Sequence, residues 1–284
     1  MNDNPLIIDF TCNIQEITEA VKYVINDGKK IRANIIYSLG NQSELSVIFA
    51  HMIEFLHNAS LILDDLPCMD NSDIRRNKPS LHKYKNESIA QLSVMILITQ
   101  AQFYFYKGIN LLESKLSNDD FKKVRKFLET EYINALSDNG LSGGQYHDLT
   151  VKNYIKTLSP RKQQETILNI MKLKTGSLFS LSFIFGYISR DKLDSNMIGI
   201  ISDMKNIGLA VGMCYQIIDD ICDIEEESYS NMCKYFDRNS IIDIFTNFIS
   251  IFYNGILGYK LKSTYIIELY TYLMEKLKEK IIII

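Results

Sequence analysis

Residues 43–63 read SELSVIFAHMIEFLHNASLIL, with apolar side chains at 45, 47, 48, 52, 53, 55, 56, 59, 61 and 62. That recurrence fits an α-helix with a broad buried face. Residues 87–112 go further: Ile89, Leu92, Val94 to Ile98 and Phe103 to Tyr106 leave hardly a polar side. A helix apolar all round is normally buried among other helices. Outward from these two, residues 119–136 are amphipathic and 162–188 read as a helix interrupted or bent near Gly176. Residues 203–223 form another strongly apolar helix, and 241–284 read as one or two helices with loops near Asn254-Gly255 and Gly258. Only 4 prolines and 13 glycines in 284 residues favour long helices over an all-β design, which needs frequent turns. The expected architecture is all-α, a bundle of long helices. No linker, low-complexity tract or Pro/Gly hinge breaks the chain, so a single domain over 1–284 is expected.

The 31 basic and 34 acidic side chains nearly balance, which excludes a nucleic-acid binder acting through bulk charge. Five cysteines, at 12, 68, 214, 222 and 233, form no CxxC pair and are odd in number, as expected of reduced thiols in a cytosol-like compartment. No unbroken apolar run reaches about 18 residues, so no membrane span is expected. The start, MNDNPLIIDFTCN, is acidic and polar, unlike a signal or transit peptide. The expected location is cytoplasmic, or the plastid stroma if a targeting segment has been removed.

Two acidic clusters carry the chemistry. Asp64, Asp65 and Asp70 lie where the first apolar helix ends, and Pro67 marks the break. Carboxylates at a helix C-terminus oppose its dipole, and a bound cation would compensate. Asp219, Asp220 and Asp223 sit in an apolar helix at i,i+4 and i,i+3 spacing, on one face. Charges so embedded are costly unless paired or metal-bound. All-oxygen donor sets of this kind suit Mg2+, which shares its coordination with waters and substrate phosphates. The bland alternative is a pair of solvated helix ends.

Short basic clusters accompany them: Gly28-Lys29-Lys30-Ile31-Arg32, Arg75-Arg76-Asn77-Lys78, and Lys172-Leu173-Lys174-Thr175-Gly176. Adjacent arginines suit multidentate phosphate contacts, and lysine adds point charge. Each alone reads as solvated surface. No GxxxxGK[ST] pattern occurs. Gly143-Gly144-Gln145 marks a loop or a close backbone approach, or simply an inter-helix turn. Together these features point to Mg-dependent handling of a diphosphate-bearing small molecule in a helical pocket.

The same residues resemble the trans-isoprenyl diphosphate synthase family, of the farnesyl and geranylgeranyl diphosphate synthase type. Ser60 to Asp70 followed by Asp73 to His82 is similar to its first aspartate-rich motif and arginine tail. Tyr215-Gln216-Ile-Ile-Asp219-Asp220-Ile-Cys-Asp223 is similar to the second. Gly28 to Arg32, Gly143-Gly144-Gln145 and Lys174-Thr175 match its shorter elements. The resemblance implies the isoprenoid-synthase bundle around a central pocket, usually as a homodimer. It implies that Asp64, Asp65, Asp70, Asp219, Asp220 and Asp223 hold Mg2+ ions that bridge an allylic diphosphate. It places Arg75, Lys174, Thr175 and Gln216 on the allylic side, and Lys29, Arg32, His57 and Arg76 on the diphosphate of isopentenyl diphosphate. The implied activity is condensation of the two by ionisation, attack of the double bond and proton loss. No Ser-His-Asp or Cys-His constellation is required, and Cys68, Cys214 and Cys222 read as packing residues.

In that family the residues just before the first motif cap the growing chain. Here they are Ala59 and Ser60, small where farnesyl-producing relatives typically carry an aromatic. A geranylgeranyl product is expected, with a farnesyl product the alternative and Phe55 or Met95 as other candidate floors. The chain departs from the pattern at Asp27 and Asn77, each replacing a glycine, at Ala33, replacing a proline, and at Tyr215, replacing a phenylalanine. Beyond Asp223, Lys234 stands in for the first lysine of a closing segment, and no lysine follows Asp237 within ten residues. A catalytically weak regulatory subunit, a terpene-cyclase or squalene-type synthase and a plain helical scaffold are the competing readings.

Overall fold

Side-chain caps fix several helix starts. Ser43, Asn86, Asp237 and Ser263 each accept the backbone N–H three residues on, at 3.2, 2.8, 2.8 and 3.3 Å. Each satisfies a donor that the first helical turn leaves unpaired. The computed structural model describes residues 6–193, 196–225 and 228–282. In order, these contain α1 (Gln15–Ile25), α2 (Ile31–Leu39), α3 (Glu44–Asp64), β1 (Ile74–Arg75), β2 (Lys78–Pro79), α4 (Leu81–Tyr84), α5 (Glu87–Glu113) and α6 (Asn118–Leu136). There follow α7 (Leu141–Val151), a 3-10 turn (Ile155–Thr157), α8 (Pro160–Met171), a π turn (Lys172–Gly176) and α9 (Ser177–Ile188). The chain ends with α10 (Met197–Cys222), a second 3-10 turn (Met232–Lys234), α11 (Arg238–Gly258) and α12 (Thr264–Lys280). The all-α expectation holds; among the described residues the only strands are the antiparallel two-residue pair.

The chain divides into two compact units. One is built from residues up to Lys122 together with Ser189–Asp191, the other from Lys123–Ile188 and from Lys192 onward. In the first unit α3 packs against both α2 and α5, burying Phe49, Met52, Ile53, Phe55 and Leu56. Each such side chain contributes about 1.5–3 kcal/mol by leaving water. In the second unit α10 packs against α9, α11, α12 and the π turn.

Three expectations need correction. α5 is not enclosed: Ala90, Val94, Leu97, Ala101, Phe105 and Ile109 are buried, while Met95 is 66% and Phe103 59% exposed, with Leu92, Ile98 and Tyr106 also exposed. The helices packed on α5 cover one face only. Nor does the chain break at Asn254-Gly255; α11 runs through it. A Cβ on Gly255 would stand 2.5 Å from Ile207 Cδ1, so this glycine serves a close contact with α10 rather than a loop. Finally, α3, α5, α10 and α11 are long and apolar enough to cross a membrane by length and composition, because isolated charges that break an apolar run barely lower a windowed average. Their most apolar windows are 72%, 33%, 56% and 33% buried within the chain.

Candidate active site

In the first unit, the end of α3 folds back on itself. Asp70 N–H donates to Asp64 O at 2.9 Å and Ser72 N–H to Asp65 O at 3.2 Å, so two terminal helix carbonyls are satisfied by the segment that follows. Asp70 thereby returns to Asp64. The chain then enters the hairpin, whose turn residues Arg76 and Asn77 have φ of 54° and 61°. Asparagine tolerates that left-handed conformation, which explains how Asn77 replaces a glycine.

The turn sends neighbouring arginines to different partners. Arg75 grips Asp65, with Nη2 2.6 Å and Nε 3.0 Å from Oδ1. Arg76 Nη1 donates to Asp27 O, and its guanidinium lies where a Cβ on Gly28 would sit. Gly28, at φ 107°, is needed both for that approach and for its backbone. The Asp27 carboxylate meanwhile binds Lys78 at 2.7 Å. Asp27 is thus part of the basic segment's mount. Lys29 precedes Lys30, whose left-handed φ of 48° starts α2.

On α2 and α3, Arg32 Nη1 lies 3.4 Å from His57 Nε2. Burial, then the charges of Arg32, Arg76 and Arg75, hold the His57 pKa well below the usual imidazole value. The resulting neutral ring can accept from Arg32. Beneath this group sits Glu54, only 3% exposed, which accepts from Ala33 N–H at 3.4 Å. Burial raises its pKa, and the Arg32 charge opposes that rise. Glu54 was missed from sequence; its one signal was an acid three residues before His57 in an apolar run. Ala59 is buried in α3, Ser60 half-buried one residue on, and Phe55 one turn below packs against His51 and Tyr104. Met95 points outward and forms no floor within the chain.

In the second unit the interruption near Gly176 is the π turn, a feature common at functional sites. It presents Lys174 to Asp148, with which it forms an ion pair, and Thr175 Oγ1 to Gln216 Oε1 at 2.6 Å. Gly144 is the close-approach case: a Cβ there would stand 2.4 Å from Lys174 N. Asp148 was missed from sequence, although it lies one helical turn from Gln145. The Gln145 amide is buried and has no hydrogen-bond partner among the described residues.

Gln216 Nε2 donates onward to Asp220 Oδ1 at 2.7 Å, and Met232 N–H to Asp220 Oδ2 at 2.8 Å. Burial pushes the Asp220 pKa up to about 6 against these two donors. Asp223 closes the helix, its N–H donating to Asp219 O at 2.9 Å, and is exposed. Lys234 ends the second 3-10 turn, its ammonium 6.0 Å from the Tyr229 ring centre. Cys214 is buried, which raises its thiol pKa and fits a packing residue, whereas Cys68 and Cys222 are exposed and do not pack in the core.

The donor chemistry fits Mg2+, being all carboxylate in both clusters. Among the described residues no three acidic groups close into a cage. Mg2+ needs none, since it is usually held by one or two carboxylates plus waters and substrate phosphates. The Asp65 carboxylate also accepts from Arg75, and that of Asp220 from Gln216 and Met232 N–H.

Comparison with known proteins gives a consistent answer. Residues 14–250 match the family model for polyprenyl synthetase. The chain is 31% identical over 202 residues to farnesyl diphosphate synthase of Bacillus subtilis, covering 70% of this chain and 62% of that one. It is 29% identical over 221 residues to geranylgeranyl pyrophosphate synthase 4 of Arabidopsis thaliana, covering 75% and 54%. The chain therefore spans somewhat over half the length of the curated relatives it matches. A crystal structure of geranyltransferase from Legionella pneumophila superposes with a TM-score of 0.75 at 25% identity, covering 94% of this chain and 90% of that one. With the family model spanning most of its length, this chain belongs to the polyprenyl synthetase family.

Proposed function

We propose that this chain is a Mg2+-dependent trans-prenyl diphosphate synthase, joining isopentenyl diphosphate to an allylic diphosphate, with geranylgeranyl diphosphate as product. The observation that carries the reading is the folded-back segment 64–79. It sets Mg-type carboxylates and two differently engaged arginines on one short, internally bonded stretch. Asp64, Asp65 and Asp70, and in the other unit Asp219, Asp220 and Asp223, are the carboxylates assigned to Mg2+. Asp65 and Asp220 hold Arg75 and Gln216 in place.

When bound, Mg2+ supplies electrostatic stabilisation of the departing diphosphate. Lys174, oriented by Asp148, and Thr175, fixed through Gln216, add preorganised positive charge and a hydroxyl on the allylic side. Lys29, Arg32, neutral His57 and Arg76 bind the isopentenyl diphosphate, with buried Glu54 holding the N-terminus of α2. The allylic C–O bond breaks, the isopentenyl double bond attacks the cation, and the departed diphosphate takes the proton released. Positioning of the two substrates supplies much of the rate.

Ala59 supports a twenty-carbon product, because an alanine takes less room than the aromatic that farnesyl-producing relatives typically carry at this place. The exposed apolar stripe of α5 supports a homodimer, a second copy covering Leu92, Met95, Phe103 and Tyr106. The test is incubation of purified protein with isopentenyl diphosphate, Mg2+ and dimethylallyl, geranyl or farnesyl diphosphate, read by mass spectrometry. A twenty-carbon product supports the full assignment. Another length keeps the reaction and rejects Ala59 as the floor. No product from any starter, with folded protein, rejects the activity and favours a regulatory subunit. That second reading draws on Asp237, which here caps α11 through Ser240.

A further inference from the structure

The segment 228–237 is mounted firmly on the second acidic cluster. Asn231 is 4% exposed and caps two elements at once. Its Nδ2 donates to Asp220 O at 2.7 Å and Asp223 O at 3.3 Å, and its Oδ1 accepts from Cys233 N–H at 2.9 Å. Met232 N–H holds the Asp220 carboxylate beside it. Tyr235 OH donates to Tyr229 O at 2.9 Å, and Gln164 of α8 donates to Tyr235 O at 3.0 Å. Tyr229 and Lys234 therefore flank a fixed anchor two residues to one side and three to the other.

A second lysine reaches the same ring from a distant part of the chain. Lys156 Nζ lies 5.7 Å from the Tyr229 ring centre, close to the 6.0 Å of Lys234. Its own backbone is pinned, because Ile155 is fully buried and its carbonyl accepts from Gln163 Nε2 at 2.9 Å. Among the described residues neither ammonium has a carboxylate partner, and Tyr229 is 43% exposed. Two cations gathered at one aromatic ring repel each other and are stabilised by an anion that spans both.

We propose that Lys156 is a diphosphate-binding residue, forming with Lys234 and Tyr229 a two-lysine clamp that Asn231 and Asp220 mount beside the second aspartate cluster. The proposal rests on the functional reading above. It identifies where the second cation comes from in a chain that has no lysine within ten residues after Asp237.

The test is calorimetric titration of the full chain with inorganic pyrophosphate and Mg2+, using Lys156→Ala, Lys156→Arg, Lys234→Ala and, as control, Lys162→Ala on the exposed side of neighbouring α8. The clamp predicts that K156A and K234A each weaken binding about five- to tenfold, the scale of one lost phosphate contact. K156R should stay within about twofold of wild type, and so should K162A. K156A within twofold of wild type, or a K162A loss as large as that of K156A, overturns the clamp while leaving the synthase reading intact. No binding by the wild-type chain overturns the synthase reading and the clamp with it. Lys156 is exposed and removes no packing, so its variants test binding rather than folding.

Discussion

Gly144→Ala is the sharpest perturbation the structure offers. The added Cβ would stand 2.4 Å from Lys174 N, 2.7 Å from Lys174 Cα and 2.9 Å from Leu173 C. All three are backbone atoms, and ordinary contact begins near 3.4 Å, so α7 and the π turn must part by about 1 Å. Overpacking of this kind costs about 1–3 kcal/mol. For a chain this size each kcal/mol lowers the melting temperature by about 2–4 °C, giving a fall of about 2–12 °C. The same displacement carries Lys174 away from Asp148. A misplacement of about 1 Å at a positioned group costs on the order of 100-fold in rate. The assay pairs a thermal melt with single-turnover product formation. Gly258→Ala is the control: nothing lies within 4 Å of its Cβ, and a change within about 1 kcal/mol of wild type is expected at a helix end. A G144A protein that melts within 1 °C of wild type and turns over within twofold would refute the close-approach argument.

Ala59→Tyr fills the buried face of α3 one turn above Phe55, and mass spectrometry should show a shift to shorter products; an unchanged product length removes Ala59 from the floor. His57 has its pKa lowered by burial and by three arginines, so the unfolded chain takes up a proton more readily than the folded one. The stability this histidine contributes is complete above about pH 6.5 and is lost as pH falls through its folded pKa; melts from pH 7.5 to 5 should be flatter for His57→Gln than for wild type, and parallel curves would dismiss the effect. In the dimer proposed above, Met95→Glu places a charge in the covered stripe of α5 and should give a monomer in sedimentation, with no loss of helix signal; an unaltered sedimentation profile would exclude this face as the contact between copies.

The helical architecture was readable because its signals are local. Apolar spacing in 43–63 and 203–223 acts within a few residues of where it is seen. The spacing of Asp219, Asp220 and Asp223 is a local signal of the same kind, although among the described residues no three acidic groups close into a cage. What stayed hidden depends on contacts between distant stretches. Asp148 acquires its role only when α7 lies against the π turn, and Gly144 is what lets it. Asp27 looked like the loss of a glycine until the hairpin brought Lys78 to its carboxylate and Arg76 to its carbonyl. The exposed face of α5 failed in the opposite direction: periodicity reports how apolar a helix is, and the neighbours that cover it lie elsewhere in the chain. Gly255 misled because glycine marks a close approach as often as a bend, and only Ile207 decides between them.

The π turn between α8 and α9 has a consequence for how this protein could have changed over time. A turn of this kind holds one residue more than a regular helical turn, so the helices on either side keep their buried faces while the extra residue bulges out. Loss of a single residue from 172–176 would restore a regular helix and leave the apolar sides of both helices aligned as before. Lys174 and Thr175 would then lose their stance toward Asp148 and Gln216. Scaffold and chemistry are thus separable by a one-residue deletion, which makes this turn the place where a folded but inactive descendant could arise in a single step.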